Sequence, residues 1–296
     1  MTGVGLAVPQ MGPGVDGGLV MEFARRAEAA GFTSLWVQEH FFHPLQPSSD
    51  YAGIAGARAP EVYRSCLAPT ELLTAVACAT QRCAVGTSIL VAGYHRPVEL
   101  AQRLSTIDIL SDGRLVVGLG AGWSAEEHRQ MDVDPKTRGA RMTELVAALR
   151  ACWEDDPVEF HGRFFDWPAG FVSPKPIQDR ITLLAGTSSR AGLERTALHF
   201  DGWNPAGVPI AALRKVVPRL QAMRPDASAP LSVWPRLFVQ SPVGPPDPDA
   251  IPPQVGQARE AGFAEVIIDA HFWEGIEKPS DWLDLIDRYA ELTPGR

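Results

Sequence analysis

The residues best suited to chemistry in this 296-residue chain are imidazoles and aromatic rings placed just after short apolar runs. Gln38-Glu39-His40-Phe41-Phe42-His43 follows one run, Tyr94-His95-Arg96 a second, and His271-Phe272-Trp273 a third. Imidazole exchanges protons near neutral pH, and aromatic rings hold flat conjugated molecules by stacking. A site of this composition binds a planar ring and manages a proton beside it. His40 is the first choice for that proton, and a hydrogen-bonded structural imidazole is the competing reading. Phe42, His95, Trp234, His271 and Trp273 are expected to line the substrate side. His40 and His43 stand three apart in a loop with no HExxH or carboxylate-flanked pair, so no metal is expected.

Gly186-Thr187-Ser188-Ser189 precedes a helical pattern, and free backbone N–H groups there suit a phosphate. A plain serine N-cap is the alternative. The run Gly118-Leu119-Gly120-Ala121-Gly122 offers a glycine-rich turn, but Trp123 occupies the third glycine position of GxGxxG. An indole there blocks the close helix–strand packing of a dinucleotide fold, which excludes that reading. Neither a GxSxG elbow nor a CxxC pair is present.

The elements that position these residues alternate along the chain. Apolar runs predict strands at Gly3–Val8, Ser34–Val37, Ala84–Val91, Arg114–Leu119, Ile181–Ala185, Asp201–Trp203, Leu231–Val239 and Glu265–Asp269. Helical spacing fills the intervals, as in Leu19, Val20, Phe23, Ala24 and Ala27 between an Asp16 N-cap and a Gly31 C-cap. Eight such units in one domain spanning 1–296 predict an α/β fold, a (β/α)8 TIM barrel, over a doubly wound sheet. Its site lies at the C-terminal ends of the strands, where the imidazoles fall. An echo links two units: Ala30-Gly31-Phe32 leads to a strand ending at His40-Phe41, and Ala261-Gly262-Phe263 to one ending at His271-Phe272. The long connections 41–69, after strand 2, and 155–180, before strand 5, are expected to wall or cover the mouth.

Composition narrows the function. With 27 Lys plus Arg against 35 Asp plus Glu, the net charge is −8, which disfavours nucleic acid. No apolar run reaches the ~20 residues of a membrane span, and the start lacks a basic leader. Cys66, Cys78, Cys83 and Cys152 are too sparse for a disulfide framework. A cytoplasmic protein acting on a small molecule is expected.

Eight motifs in order, over residues 3 to 270, resemble the bacterial luciferase-like flavin and deazaflavin oxidoreductases, especially the coenzyme F420-dependent branch. They are Ser34-Leu35-Trp36-Val37 with Glu39-His40, Gly86-Thr87-Ser88-Ile89-Leu90, Tyr94-His95-Arg96-Pro97, Leu110-Ser111-Asp112-Gly113-Arg114, Gly118 to Trp123, Phe160-His161-Gly162, Pro174-Lys175-Pro176 and Asp201-Gly202-Trp203-Asn204-Pro205. The resemblance implies that Glu39 and His40 form an acid–imidazole pair beside the ring, with Glu39 orienting or charging His40. It implies a non-prolyl cis peptide at Ser88-Ile89 behind the ring, with Gly122 and Trp123 adjoining. Gly186, Thr187 and Ser188 would hold the cofactor phosphate. Trp123 stands where sugar-phosphate-oxidising members carry Glu, which argues against a sugar-phosphate substrate. The implied activity is hydride transfer between F420 and a hydrophobic, conjugated small molecule, in a homodimer. The alternatives are an FMN-dependent monooxygenase served by a separate flavin reductase, and a non-catalytic ligand-binding paralogue.

Overall fold

The structure is a computed structural model describing residues 1–12, 14–226 and 228–295. Strands β1 (Gly3–Ala7), β2 (Ser34–Val37), β3 (Ala84–Val91) and β4 (Leu115–Gly120) run parallel in sequence order. Helices α1 (Gly17–Ala29), α2 (Pro69–Ala79) and α3 (Pro97–Leu110) form the crossovers. After β4 come α4 (Ala125–Gln130), α5 (Arg138–Cys152) and a two-stranded hairpin, β5 (Val158–His161) with β6 (Asp166–Gly170). The parallel sheet resumes with β7 (Thr182–Gly186), α6 (Arg190–His199), β8 (Gly202–Trp203), α7 (Ile210–Ala222), β9 (Ser232–Val233) and β10 (Arg236–Phe238). It ends with α8 (Ile251–Glu260), β11 (Glu265–Asp269) and α9 (Pro279–Tyr289).

One chain pass carries both β9 and β10. Pro235 has no N–H to give, so the predicted strand 231–239 breaks at Trp234-Pro235. Its first half pairs with β8 and its second with β11, while Ala264 N–H donates to Val233 O (3.0 Å) and Ile267 N–H to Pro235 O (2.8 Å). Since β11 also pairs with β1, these bonds close the sheet into the predicted (β/α)8 barrel. Trp36, Val116, Leu184 and Ile267 fill its interior.

Local rules explain the turns. Asp16 caps α1 by accepting from Leu19 N–H, and Gly31 takes the left-handed φ of +95° while Phe32 N–H returns to Ala27 O. The echoed turn repeats this, with Gly262 at φ +69° and Phe263 N–H on Ala258 O. In β3 the register shifts between Thr87 and Leu90, across a cis Ser88–Ile89 bond. There the Thr87 hydroxyl bridges the broken ladder, donating to Gly118 O and accepting from Gly118 N–H, both at 2.9 Å.

The two long connections differ. Residues 41–69 do cover the mouth, burying Tyr51 and Tyr63 against Met11. The hairpin insertion does not, contrary to expectation. Because α5 runs antiparallel to the strands, the link from its C-terminus to the start of β7 leaves from the opposite end of the barrel. The hairpin packs on α5, where the Glu144 carboxylate accepts from the N–H groups of Arg163, Phe164 and Phe165. No helix among the described residues is long and apolar enough to cross a membrane.

Candidate active site

β2 delivers His40 to the mouth, buried, with its ring stacked on Trp123 (5.9 Å, 14°) and 4.4 Å from Tyr63. His40 Nδ1 lies 3.0 Å from Glu127 Oε1. The same carboxylate accepts from Phe41 N–H (2.7 Å), Phe42 N–H (3.1 Å) and the Tyr94 hydroxyl (2.9 Å). Burial pushes the Glu127 carboxyl up, but the bond from His40, its charge, the Phe41 N–H and the Tyr94 hydroxyl together hold it below the ordinary carboxylate range. A carboxylate can only accept, so His40 Nδ1 carries hydrogen and Nε2 is left as the variable nitrogen. That Nε2 is buried and has no hydrogen-bond partner among the described residues. His128 Nε2 also lacks one, but it is walled in: a Cβ built on Gly93 would lie 3.0 Å from it.

Glu39 is not the residue that orients His40, which corrects the expectation. Its Oε2 accepts from Val91 N–H (2.6 Å) and sits 3.0 Å from His95 Nε2, forming a separate pair. His95 is thereby paired with Glu39. The sequence neighbours diverge because successive side chains leave an extended segment on opposite faces.

Under the mouth, four strand exits are tied by one polar network. Ser88 Oγ donates to Asn204 Oδ1 (2.7 Å), Asn204 Nδ2 to Trp234 O (2.5 Å), and Arg236 Nη1 to Ser88 O. Arg236 also pairs with Asp269 through Nε (2.7 Å) and Nη2. Asp269 in turn accepts from His271 Nδ1 (2.7 Å), while Gln10 N–H donates to His271 Nε2 (3.2 Å). Both ring nitrogens of His271 are therefore engaged, and it is a framework residue with no nitrogen left for a substrate. Burial raises Asp269, but the charges and bonds of Arg236 and His271 outweigh it and hold the carboxyl far below its ordinary value. Ile89 packs over Gly118, Gly120 and Gly186, where a Cβ would lie 3.2, 2.6 and 2.5 Å from its side chain. Gly122 takes a φ of +76° over His128 and brings Trp123 up to the His40 ring.

One further substrate-side expectation needs correction. Trp234 points into the barrel, its indole N–H donating to Ser232 Oγ (2.5 Å) two residues back and its ring edge-on to Trp36 (5.6 Å). Phe42 is 38% exposed, donates its N–H to the Glu127 carboxylate and joins none of the described ring contacts. Trp273 lines a groove of about 770 Å³ beside the mouth, together with Phe272 and His271.

The turn after β7 opens α6, with Ser189 accepting from Gly192 N–H (3.1 Å) as its N-cap. Thr187 and Ser189 line a groove of about 420 Å³ with Lys136, Arg138 and Arg195, and no carboxylate among the described residues lines it. Cations and a helix N-terminus thus converge in a chain of net charge −8, an arrangement suited to an anion. Gly186 itself packs under Ile89, and Ser188 is exposed at the same turn.

Residues 9–243 match the model of the luciferase-like monooxygenase family. The chain belongs to that family. An uncharacterised protein of Mycobacterium tuberculosis is 32% identical over 185 residues, and the match covers 61% of this chain and 64% of that relative. This luciferase-like chain thus spans just under two thirds of the length of the curated relatives it matches first. A protein of Amycolatopsis mediterranei named F420-dependent glucose-6-phosphate dehydrogenase is 31% identical over 164 residues, 54% of this chain and 44% of that one. A solved F420-dependent secondary alcohol dehydrogenase, in complex with an F420–acetone adduct, superposes with a TM-score of 0.73 over 99% of each chain. At 19% identity that likeness establishes the shared fold.

Sequence reasoning missed Glu127, Asp269, Tyr51 and Tyr63 as parts of this luciferase-like mouth. Glu127 had one available signal: Ser124-Ala125-Glu126-Glu127 begins a helix directly after a barrel strand, where helix termini face the site. Tyr51 and Tyr63, hydroxyls 3.1 Å apart, lie in an insertion without periodicity and carried no such signal.

Proposed function

We propose that this chain is an oxidoreductase that moves a hydride between coenzyme F420 and a flat, apolar small molecule, with His40 handling the accompanying proton. The observation that carries this reading is the unpartnered Nε2 of a buried imidazole whose other nitrogen is held by Glu127. A deazaflavin fits the residues present: an aromatic mouth for the ring, and a carboxylate-free groove of three cations at a helix N-terminus for the phosphoryl group. Ser88, Ile89, Gly122 and Trp123 would hold the ring; Gly186, Thr187 and Ser188, with Lys136 and Arg138, the phosphoryl group. When bound, the deazaflavin supplies the hydride donor or acceptor at a carbon centre that reacts poorly with oxygen.

The chain's own part is alignment and proton control. Glu127 fixes the His40 tautomer, so the proton leaves or arrives at Nε2 alone. Tyr63, from the covering segment, holds its ring 4.4 Å from the His40 ring, tilted at 52° to it. The enclosing rings of Trp123, Tyr51, Tyr63 and Phe272 favour a conjugated apolar substrate over a sugar phosphate. F420 use, pairing of two copies and a cytoplasmic location are parts of the same proposal.

Fluorescence titrations of the purified chain with oxidised F420 and with FMN test it. Micromolar or tighter binding of F420, weak binding of FMN, and substrate turnover without oxygen uptake are expected. Preference for FMN with oxygen uptake would replace the reading by a monooxygenase with a separate reductase. Cofactor binding with no turnover across ketones, enones and imines would leave a ligand-binding paralogue.

A further inference from the structure

The covering segment 41–69 is tied to the barrel near its two ends and at one place between. Glu127 fixes the start, accepting from Phe41 and Phe42 N–H. The β1 exit fixes the other end, where Gly12 N–H donates to Ser65 O (3.2 Å) and Leu67 N–H to Gln10 O (3.0 Å). Between them the segment meets Glu126, the neighbour of Glu127 on α4. Glu126 Oε1 accepts from Ser48 N–H and Ser48 Oγ, both at 2.6 Å, and Oε2 accepts from Ser49 Oγ (2.8 Å). Ser49 Oγ in turn accepts from Ala125 N–H (3.0 Å). Among the described residues, 43–64 make no other hydrogen bond or ion pair with the rest of the barrel.

Consecutive residues leave a helix axis about 100° apart, so the two adjacent carboxylates of α4 reach different parts of the segment. Glu126 is buried. Burial pushes its carboxyl up, but the hydroxyls of Ser48 and Ser49 and the Ser48 N–H outweigh it and hold it at about 2, so the acceptor is ionised at neutral pH. Just beyond Ser49 the chain folds back on itself, with Tyr51 N–H on Ala57 O (2.9 Å) and Gly56 N–H on Asp50 Oδ1 (3.1 Å). A Cβ on Gly53 or Gly56 would meet nothing within 4 Å, so the tip of this turn stands clear of its neighbours. What the turn carries inward is Tyr51, edge-on to Trp123 (5.0 Å, 73°), with its hydroxyl 3.1 Å from that of Tyr63. Tyr63 lies 4.4 Å from the His40 ring and 5.7 Å from the Phe272 ring. The anchored serines thus directly precede the pair of phenols that covers His40.

We infer that Glu126 is a positioning residue that latches residues 48–51 to α4, keeps the Tyr51–Tyr63 pair over His40, and sets how readily the mouth opens to ligands. The structure holds the latched arrangement. Release of the serines frees Tyr51 from Trp123 and with it the ring beside His40, while Glu127 keeps its own hold on His40 Nδ1. One short helix then serves both needs of the site: one carboxylate sets the imidazole, and its neighbour sets the cover. This inference rests on the role proposed for His40 and adds control of access to it.

Two measurements on the full-length protein without cofactor test the latch. Hydrogen–deuterium exchange over 43–64 should quicken about tenfold in Glu126→Ala, with β2 and residues 65–67 unchanged. Carbethoxylation of His40 by diethyl pyrocarbonate, read by peptide mass spectrometry, should quicken about tenfold as well, with buried His128 and His271 as unreacted references. Glu126→Gln keeps an acceptor for Ser48 and should show a smaller increase in both. Ser48→Ala/Ser49→Ala removes the hydroxyl donors from the other side; it should quicken both rates and add little when combined with Glu126→Ala, whereas unrelated packing losses would add. The serine variant also carries the test if Glu126→Ala does not fold. Unchanged exchange over 43–64 in the variants, or faster exchange with His40 modified at its original rate, overturns the inference while the cofactor reading stands. Failure of the unaltered protein to bind F420 would remove the cofactor reading without touching either result.

Discussion

Two units of this barrel end in the same words and do different work. Each passes through an Ala-Gly-Phe turn and a buried strand to a His-Phe exit, and each histidine has a carboxylate on Nδ1. At His271 the carboxylate is Asp269, two residues back on the same strand, and Gln10 N–H occupies Nε2. At His40 the carboxylate is Glu127 from α4, and Nε2 has no partner. The motif therefore orients an imidazole in both units, and the neighbour of the second nitrogen decides whether it is framework or chemistry. β11 is polar at both ends for structural reasons; β2 spends its exit on a reactive group.

Removing the free nitrogen should have the largest consequence. His40→Gln should lower hydride transfer roughly 10²- to 10⁴-fold, the usual contribution of a positioned proton carrier. Cofactor affinity should change by less than about threefold, as read by stopped-flow absorbance and equilibrium titration. A rate within tenfold of the unaltered protein would return His40 to the framework class.

At the other end of β11, burial pushes the Glu265 carboxyl up to about 7, against hydrogen bonds from the Ser34 and Thr33 hydroxyls. The folded chain therefore holds a proton there that the unfolded chain releases near its ordinary value of 4.5. Stability from this group is full below that value and falls as pH rises through about 7, by about 3 kcal/mol in total. Glu265→Gln should remove this decline in urea unfolding between pH 5 and 8. An identical decline in the variant would place its origin elsewhere.

Smaller still is the effect of His271→Leu. It strips one partner from Asp269 and the acceptor from Gln10 N–H, so unfolding free energy should fall by about 2 kcal/mol. The hydride step should stay within about fivefold. A collapse of turnover in a folded His271→Leu protein would erase the distinction between the two units.

Much of this was legible before any coordinates. Continuous apolar runs such as Val266-Ile267-Ile268 announce strands buried on both faces, two of them entered through a Gly-Phe turn, and eight such runs announce the barrel. His40 was legible because a strand end is a local feature. Its partner was not: Glu127 lies 87 positions away, and nothing near either residue encodes the pairing. The family resemblance pointed to Glu39, whereas strand alternation turns Glu39 toward His95. Trp234 was misplaced for a related reason, since Pro235 interrupts its strand and the ring turns inward to Trp36. The covering segment was visible as a Pro-, Gly- and Ala-rich insertion, but which of its rings enter the mouth depends on packing against Met11, Trp123 and Phe272.

The contrast between the two imidazoles can be measured without knowing the substrate. Nitrogen-15 NMR of histidine-labelled protein reports which ring nitrogen carries hydrogen and what each one bonds. The account predicts hydrogen on Nδ1 of both His40 and His271, and a coupling across the hydrogen bond from Gln10 N–H to His271 Nε2. No such bond should reach His40 Nε2, and oxidised F420 should shift that nitrogen while leaving His271 Nε2 in place. A hydrogen-bonded His40 Nε2 in the free protein, or hydrogen found on Nε2 with Nδ1 bare, would contradict it.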